Sequence, residues 1–373
     1  MLTHDTLGIV FANMHEQSVM DMTQERSMAS LPFGGRYRLV DFPLSAFVHA
    51  GISQVGIVTK SNYQSLMDHI GTGRDWDLAR RKGISFLSPY SYTSSEGNMV
   101  FHGRVEAIYA IRDFIEHAPC EYVVLADSDH VCSPDIEDIV NFHIRNKADV
   151  TMVCRDPDPD PDNVSNSVAV KVGDDNRVTD IMFNRYSEDY LQSINIMVVG
   201  RLKLLELVEE ASSHAKTMFE RDILLANLDT MKVCAYRCSG YVRRITGLKS
   251  YYKVSLELND PEVTAQLFGS QVIYTKVHDS PPVRYSIGCS VKDSFVADGC
   301  TIEGTVENCV LFRDVTVEKG AVVRNSVLMQ NTFVGKGAEL DCVVSDKDVT
   351  VSEGKKLSGD SEYPLYIKKK SVV

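Results

Sequence analysis

Long apolar runs are missing from this chain. No stretch reaches the roughly 18 residues that a membrane-spanning helix needs. The start shows no charged n-region followed by a long apolar h-region, because Leu7–Phe11 is only strand-sized. Positive charge is scarce too: 39 Lys and Arg face 51 Asp and Glu, a formal net charge of −12. Phosphate backbones recruit basic surfaces, so this balance excludes nucleic acid as the expected partner. The cationic run Lys368-Lys369-Lys370 reads as a solvated tail rather than a membrane anchor. Nine cysteines form no C-x-x-C pair, and Cys234 and Cys238 read as free thiols more readily than as a metal site. Ten histidines show no metal-ligand spacing. The expectation is a cytoplasmic protein with reduced cysteines that binds neither membrane nor nucleic acid.

What is present falls into two textures. At 373 residues the chain exceeds one compact core. Up to residue 270, short branched apolar runs alternate with amphipathic segments. Strands are expected at Leu7–Phe11, Val55–Thr59, Tyr122–Ala126, Val150–Cys154, Ser167–Val172, Ile194–Val199 and Val233–Tyr236. Helices are expected at Asn62–Ile70, Glu106–Glu116, Ile136–Arg145 and Arg201–His214. The alternation predicts an α/β domain over 1–270 with a mostly parallel sheet, whose chemistry belongs in the loops after Phe11 and Ala126. Residues 271–284, with Pro281-Pro282, read as a linker. From 285 to 373 apolar residues recur six apart: Val296 and Ile302, Val317 and Val323, Val334 and Leu340. That period predicts a left-handed parallel β-helix of hexapeptide repeats with a C-terminal tail. The stretch Asp156-Pro157-Asp158-Pro159-Asp160-Pro161-Asp162 reads as a solvated loop, with Ca²⁺ binding as the sharper alternative.

The segment Pro32-Phe33-Gly34-Gly35-Arg36-Tyr37-Arg38-Leu39-Val40-Asp41-Phe42-Pro43-Leu44-Ser45 resembles the P-F-G-G-K-Y-R-I-I-D-F-P-L-S-N run of the bacterial ADP-glucose pyrophosphorylases. Ser280-Pro281-Pro282-Val283-Arg284-Tyr285 is similar to that family's entry into its β-helix. The resemblance covers nearly the whole chain. It implies a nucleotidyltransferase-like (Rossmann-like) first domain and the reaction of ATP with glucose 1-phosphate to ADP-glucose and pyrophosphate, for glycogen synthesis. In such a reaction the phosphate charge is held by backbone N–H groups, cations and a metal ion.

The positions that the resemblance assigns to this work have lost it. Aligned on the family's G-G-x-G-x-R-L loop, the glycines fall on Asn13, Met14 and Glu16, the arginine on Ser18, and a following lysine on Met28. Side chains at Met14 and Glu16 obstruct the approach of backbone to phosphate, and the Glu16 carboxylate repels it. The family's E-K-P lysine falls on Asn184, with Arg185 one residue on, and its S-M-G becomes Ser193-Ile194-Asn195. Of W-Y-R-G-T-A-D-A the chain keeps Gly103, followed by Arg104. One metal aspartate has counterparts in Asp127 and Asp129, which read equally as Mg²⁺ ligands or as a cap-and-turn cluster. The other is replaced by Arg244, which repels a metal ion and is expected to pair with Asp129 or Asp127.

The reading is therefore a regulatory-type subunit, inactive or very weak alone and holding no cofactor tightly. A catalytic paralogue supplies the Mg²⁺ site in a hetero-oligomer, expected to be a tetramer; a homo-oligomer is the alternative assembly. Arg36 and Arg38 are expected to meet a sugar-phosphate effector, the alternative being that they only pack the domain edge. Two other activities stay open, beside a purely structural scaffold that binds no ligand. One is a self-sufficient nucleotidyltransferase rewired through Arg185, Arg104 and the Asp127/Asp129 pair. The other is a hexapeptide-repeat acyltransferase, disfavoured because no histidine follows His278.

Overall fold

The computed structural model describes residues 5–14, 19–79, 82–88, 101, 103–158, 164–269 and 271–373. Its contacts divide the chain into two compact units. The first takes the chain up to residue 16 with Arg26–Ser30 and Val40–Arg244, and the second takes Gln17–Glu25, Leu31–Leu39 and Ile245–Val373. In chain order the strands up to residue 244 are β1 (Thr6–Phe11), β2 (Pro32–Phe33), β3 (Tyr37–Arg38), β4 (Gln54–Val58), β5 (Ile84–Leu87), β6 (Tyr122–Asp127), β7 (His130–Cys132), β8 (Val150–Arg155), β9 (Val168–Val172), β10 (Val178–Phe183), β11 (Leu191–Gly200), β12 (Val233–Arg237) and β13 (Val242–Arg244). The helices are α1 (Met20–Thr23), α2 (Asp41–His49), α3 (Gln64–Ile70), α4 (Arg104–Ala110), α5 (Arg112–Glu116), α6 (Ile136–Asn146), α7 (Arg201–Ser213), α8 (Leu248–Leu256) and α9 (Pro261–Phe268).

The first unit is built on one nine-stranded sheet in the order β10-β9-β11-β6-β1-β4-β5, with β8 joined to β11 and β12. β1 runs parallel to both β4 and β6, and β4 parallel to β5. β11 runs antiparallel to β6, β8 and β9. Each central strand is an apolar run buried on both faces, as a sheet covered by helices requires. Phe11 lies level with Val58 on one side and Asp127 on the other, so three loops leave the sheet at the same edge.

α6 shows how the local sequence sets a helix. Asp135 caps it by accepting from the Asp138 N–H, acidic residues fill the first turn, and His143 and Arg145 sit in the last. Ile136, Ile139, Val140 and His143 share the buried face at helical spacing. The single helix expected over Glu106–Glu116 is instead two, α4 and α5, broken at Ile111 with φ −106° and ψ 11°. The break turns Val105 and Ile108 inward on one side and Ile115 on the other, so packing overrides the continuous periodic pattern.

In the second unit β2 and β3 form a hairpin through Gly34 and Gly35, whose φ values of 55° and 78° suit glycine. Tyr37 stacks on Phe268 at 5.2 Å, and the Tyr251 hydroxyl donates to Pro32 O at 2.8 Å. Helices α8 and α9 thus count with the second unit. The texture change at 271–284 marks the first β-helix coil rather than the start of that unit.

Three five-stranded parallel sheets, running from Arg284 to Ile367, make the left-handed β-helix. Ile302, Val317, Val334 and Val351 stack in register on one sheet. Val306, Val323, Leu340 and Leu357 do so on the next. Residues six apart, such as Val317 and Val323, therefore sit on adjoining faces of one coil. At a corner Asn308 donates to Asn325 (2.8 Å) and Asn325 to Asp341 (2.9 Å), and both asparagines have positive φ.

One expectation changes here, and the solvated reading of the Asp-Pro stretch fits its described residues, with Asp156 exposed. The C-terminal tail is ordered: Val373 N donates to Thr350 O at 3.0 Å, Ser352 N to Val373 O at 2.7 Å, and Lys369 pairs with Glu25 at 3.1 Å. These bonds occupy a free strand edge and order the last residues, while Lys368 and Lys370 stay exposed as expected of a solvated run. In the Asp-Pro stretch, Asp156 pairs with Arg237 (2.8 Å) and Asp158 with Arg155 (3.0 Å), so both carboxylates face guanidinium groups. Asp160 and Asp162 lie outside the described residues.

Candidate functional site

The edge where β1, β4 and β6 end should hold any nucleotide chemistry. After β1, the Ala12 N–H is spent on Val58 O at 2.9 Å. Buried Asn13 accepts from the Lys60 N–H (2.9 Å) and donates to Ser61 O (3.2 Å), tying the end of β1 to that of β4. Met14 is half-buried and packs against the core of the first unit. Met28 is buried in a short 3₁₀ turn, Met28–Ser30. Groups that would face phosphate in a nucleotide loop are thus used for packing and strand bridging. Glu16 and Ser18 lie outside the described residues.

After β6, two buried clusters fill the same edge. Arg104, the first residue of α4, donates through Nη2 to Asp127 Oδ2 at 2.9 Å and pairs through Nε with Glu220 at 3.2 Å. Its guanidinium also lies 5.1 Å from the centre of the Phe11 ring. Gly103 allows this placement, since a Cβ there would fall 2.1 Å from the Thr217 carbonyl oxygen. Burial alone would lower the pKa of Arg104, but Asp127, Glu220 and Asp129 outweigh it and raise it.

Asp129 is the centre of the second cluster, only 1% exposed. Arg244, from β13, donates through Nε to Oδ2 at 2.8 Å and through Nη1 to Ser165 O at 3.0 Å. Asn195 Nδ2 lies 3.2 Å from Oδ2, and His130 Nδ1 lies 2.6 Å from Oδ1. Asn195 has φ 58°, the left-handed backbone that a glycine would take most easily, and it sits where β11 shifts register against β8. The Asn195 N–H donates to Ser193 Oγ at 3.2 Å. Burial lowers the pKa of His130 despite Asp129, and Arg244 and Arg155 push it further down. Burial likewise lowers that of Arg155, which holds Asp158, Gln192 Oε1 (2.6 Å) and Val242 O (3.2 Å).

The structure therefore brings Gly103, Asp127, Asp129, Ser193 and Arg244 together, with Arg244 on Asp129. Asn184 and Arg185 stand apart on the exposed turn after β10, where Asn184 has φ 56° and Arg185 lines a shallow cleft with Tyr190 and Gln192. Arg36 and Arg38 belong to the second unit. There Arg313 Nε contacts both Asp298 oxygens at 3.1–3.2 Å, while Arg36, 47% exposed, lies 3.9 Å away. Asp298 has a lowered pKa: burial raises it, but Arg313 and Arg36 outweigh that. Sequence reasoning missed Glu220, His130 and the ligating role of Asn195. Only the Gly-to-Asn change at the end of the S-M-G match could have signalled the last.

A divalent cation needs oxygen ligands with open lone pairs and no competing cation. Asp129 spends its oxygens on Arg244, Asn195 and His130, and Asp127 takes Arg104. This donor set does not fit Mg²⁺. Among the described residues, no group of three or more His, Cys, Asp or Glu is arranged to hold a metal. No helix among them is long and apolar enough to cross a membrane.

A nucleotidyltransferase sheet followed by hexapeptide coils defines the class, and comparison with known families agrees. A nucleotidyl transferase model matches residues 17–182, and a GlmU-like C-terminal hexapeptide model matches 283–364. The chain is 33% identical to glycogen biosynthesis protein GlgD of Bacillus subtilis (strain 168) over 376 residues, covering 99% of this chain and 97% of the relative. It is 36% identical to the GlgD protein of Geobacillus stearothermophilus over 86% of this chain and 84% of the relative. A glucose-1-phosphate adenylyltransferase of Clostridium perfringens (strain SM101 / Type A) is 30% identical over 100% and 96%. The chain belongs to this family of glycogen biosynthesis GlgD proteins and glucose-1-phosphate adenylyltransferases.

Proposed function

We propose that this chain is a regulatory-type subunit of a cytoplasmic glucose-1-phosphate adenylyltransferase. It has little or no activity alone and modulates a catalytic paralogue that holds Mg²⁺ and makes ADP-glucose for glycogen. The observation that carries this reading is the Arg244–Asp129 pair, buried at 2.8 Å where the reaction calls for a metal-binding carboxylate. Transfer of the adenylyl group needs charge stabilisation at the α-phosphorus and on departing pyrophosphate. Loss of one preorganised donor typically costs ~10²–10³ in rate. A chain with Asn13 spent on bridging strands, a buried Met28 and a cation on the metal aspartate is short of several such groups at once, although their losses need not multiply. The rewired, self-sufficient reading needs Arg104 and Asp127 available to substrate, and each already holds the other.

Half-exposed Arg36, with Arg313 taking up most of the Asp298 charge, supports a sugar-phosphate effector as the regulatory ligand. The test is to assay ADP-glucose formation by the chain alone, by the paralogue alone and by their mixture, with and without sugar phosphates. Near-zero activity alone and a mixture whose rate or effector response differs from the paralogue's is expected. Robust turnover by the isolated chain at ordinary ATP concentrations defeats the proposal.

A further inference from the structure

We propose that the first unit is self-liganded: Arg104 and Arg244 supply, from within the chain, the positive charge that a divalent cation or nucleotide complex would otherwise bring. The unit then holds one conformation whether or not such ligands are present. The misfit of the site to Mg²⁺ is the starting point. Asp127, Asp129 and Glu220 are 5%, 1% and 6% exposed, and buried carboxylates persist only when paired and hydrogen-bonded. Apart from His130, which adjoins Asp129, the partners found for them come from distant parts of the same unit. Arg104 joins α4 and β6 to the turn Phe219–Leu224. Arg244 and Asn195 join β13 and β11 to the loop after β6 and, through Ser165 O, to the segment before β9.

In a domain that closes around a charged ligand, elements like these meet only when the ligand supplies the compensating charge. Here they meet through side chains that cannot dissociate from the chain. A ligand shifts a conformational equilibrium only by its differential affinity for two states, and at this edge Asp127 and Asp129 already hold arginines that a cation would have to displace. The use of such a domain, as a fixed element beside a ligand-responsive partner, rests on the regulatory reading above. The charge compensation rests on geometry alone.

The test uses the full chain. Wild-type melting temperature is expected not to move with millimolar Mn²⁺ or with Mg²⁺ and ATP, and Mn²⁺ electron spin resonance is expected to show no bound ion. The Arg104→Gln/Arg244→Gln double variant is expected to melt roughly 10–20 °C lower. It should regain part of that loss with millimolar Mn²⁺ and show bound Mn²⁺, whereas Arg145→Gln, at an exposed ion pair, changes nothing. A folded double variant that ignores Mn²⁺ overturns the proposal. So does a wild-type chain stabilised by Mn²⁺ in a way that Asp129→Asn removes, and this arm decides alone if the double variant does not fold. Activity of the isolated chain would defeat the regulatory reading without moving these melting curves, so the two failures are distinguishable.

Discussion

Asp129 accepts from donors that stand 1, 66 and 115 positions away in the chain. Such a residue is costly to alter, because a buried ion pair broken on one side leaves an uncompensated charge. Asp129→Asn is expected to lose about 3–5 kcal/mol of stability, read by urea unfolding. Replacing both partners by apolar residues, Asp129→Leu with Arg244→Met, should cost clearly less than the sum of the two single changes. An additive result would mean that the pair is not coupled. The sequence already marked Arg244 as facing a carboxylate, because a guanidinium sits where the family pattern has an aspartate. It left Asp127 and Asp129 as equal choices. Distance along the chain carries no orientation, and only the antiparallel pairing of β13 with β7 aims Arg244 at Asp129.

At the scale of the element, α6 and the β-helix coils carry the sharpest expectations. His143 lies on the buried face of α6, 2.9 Å from Thr151 Oγ1 and edge-on to Tyr122. Burial lowers its pKa to about 4, with Asp149 opposing in part. Unfolded histidine titrates near 6.5, so the unfolded chain takes up the proton first as pH falls. The stabilisation is complete above pH ~6.5 and is lost between there and about 4. The most this group can contribute is about 3 kcal/mol. His143→Gln should flatten the fall in unfolding free energy across that window, and an unchanged slope would show that other groups control it. In the β-helix, Val334 stacks between Val317 and Val351 and is fully buried. Val334→Ala is expected to cost about 1–3 kcal/mol by cavity formation, measured in denaturant. The strands over 7–11, 122–126 and 150–154 and the hexapeptide coils were legible because each buries a regular pattern. β5, β10 and the break at Ile111 were not, since short or bent elements take their form from neighbours rather than from periodicity.

At the scale of the whole molecule the nine free cysteines offer a readout that needs no added probe. Burial raises the thiols of Cys300 and Cys309 to about 12 and pushes that of Cys154 well up. Thiolate is the reactive form, so the native chain at neutral pH should alkylate these three slowly. Cys154 lies in the first unit and the other two in the second. Mass spectrometry of chains labelled across a denaturant series should therefore report which unit opens first, and rapid labelling of all three in the native chain would show that neither core excludes reagent.

By itself the sequence determined the α/β sheet and the β-helix, because periodicity and branched residues are local properties. Tertiary structure alone decided that helices α8 and α9 and the P-F-G-G hairpin join the β-helix unit, and that Arg104 is turned inward onto Asp127 and Glu220. Those outcomes depend on which buried charges find a partner and which apolar faces find cover. Such pairings are settled by the energy of burial across the whole fold, between residues that no local pattern connects.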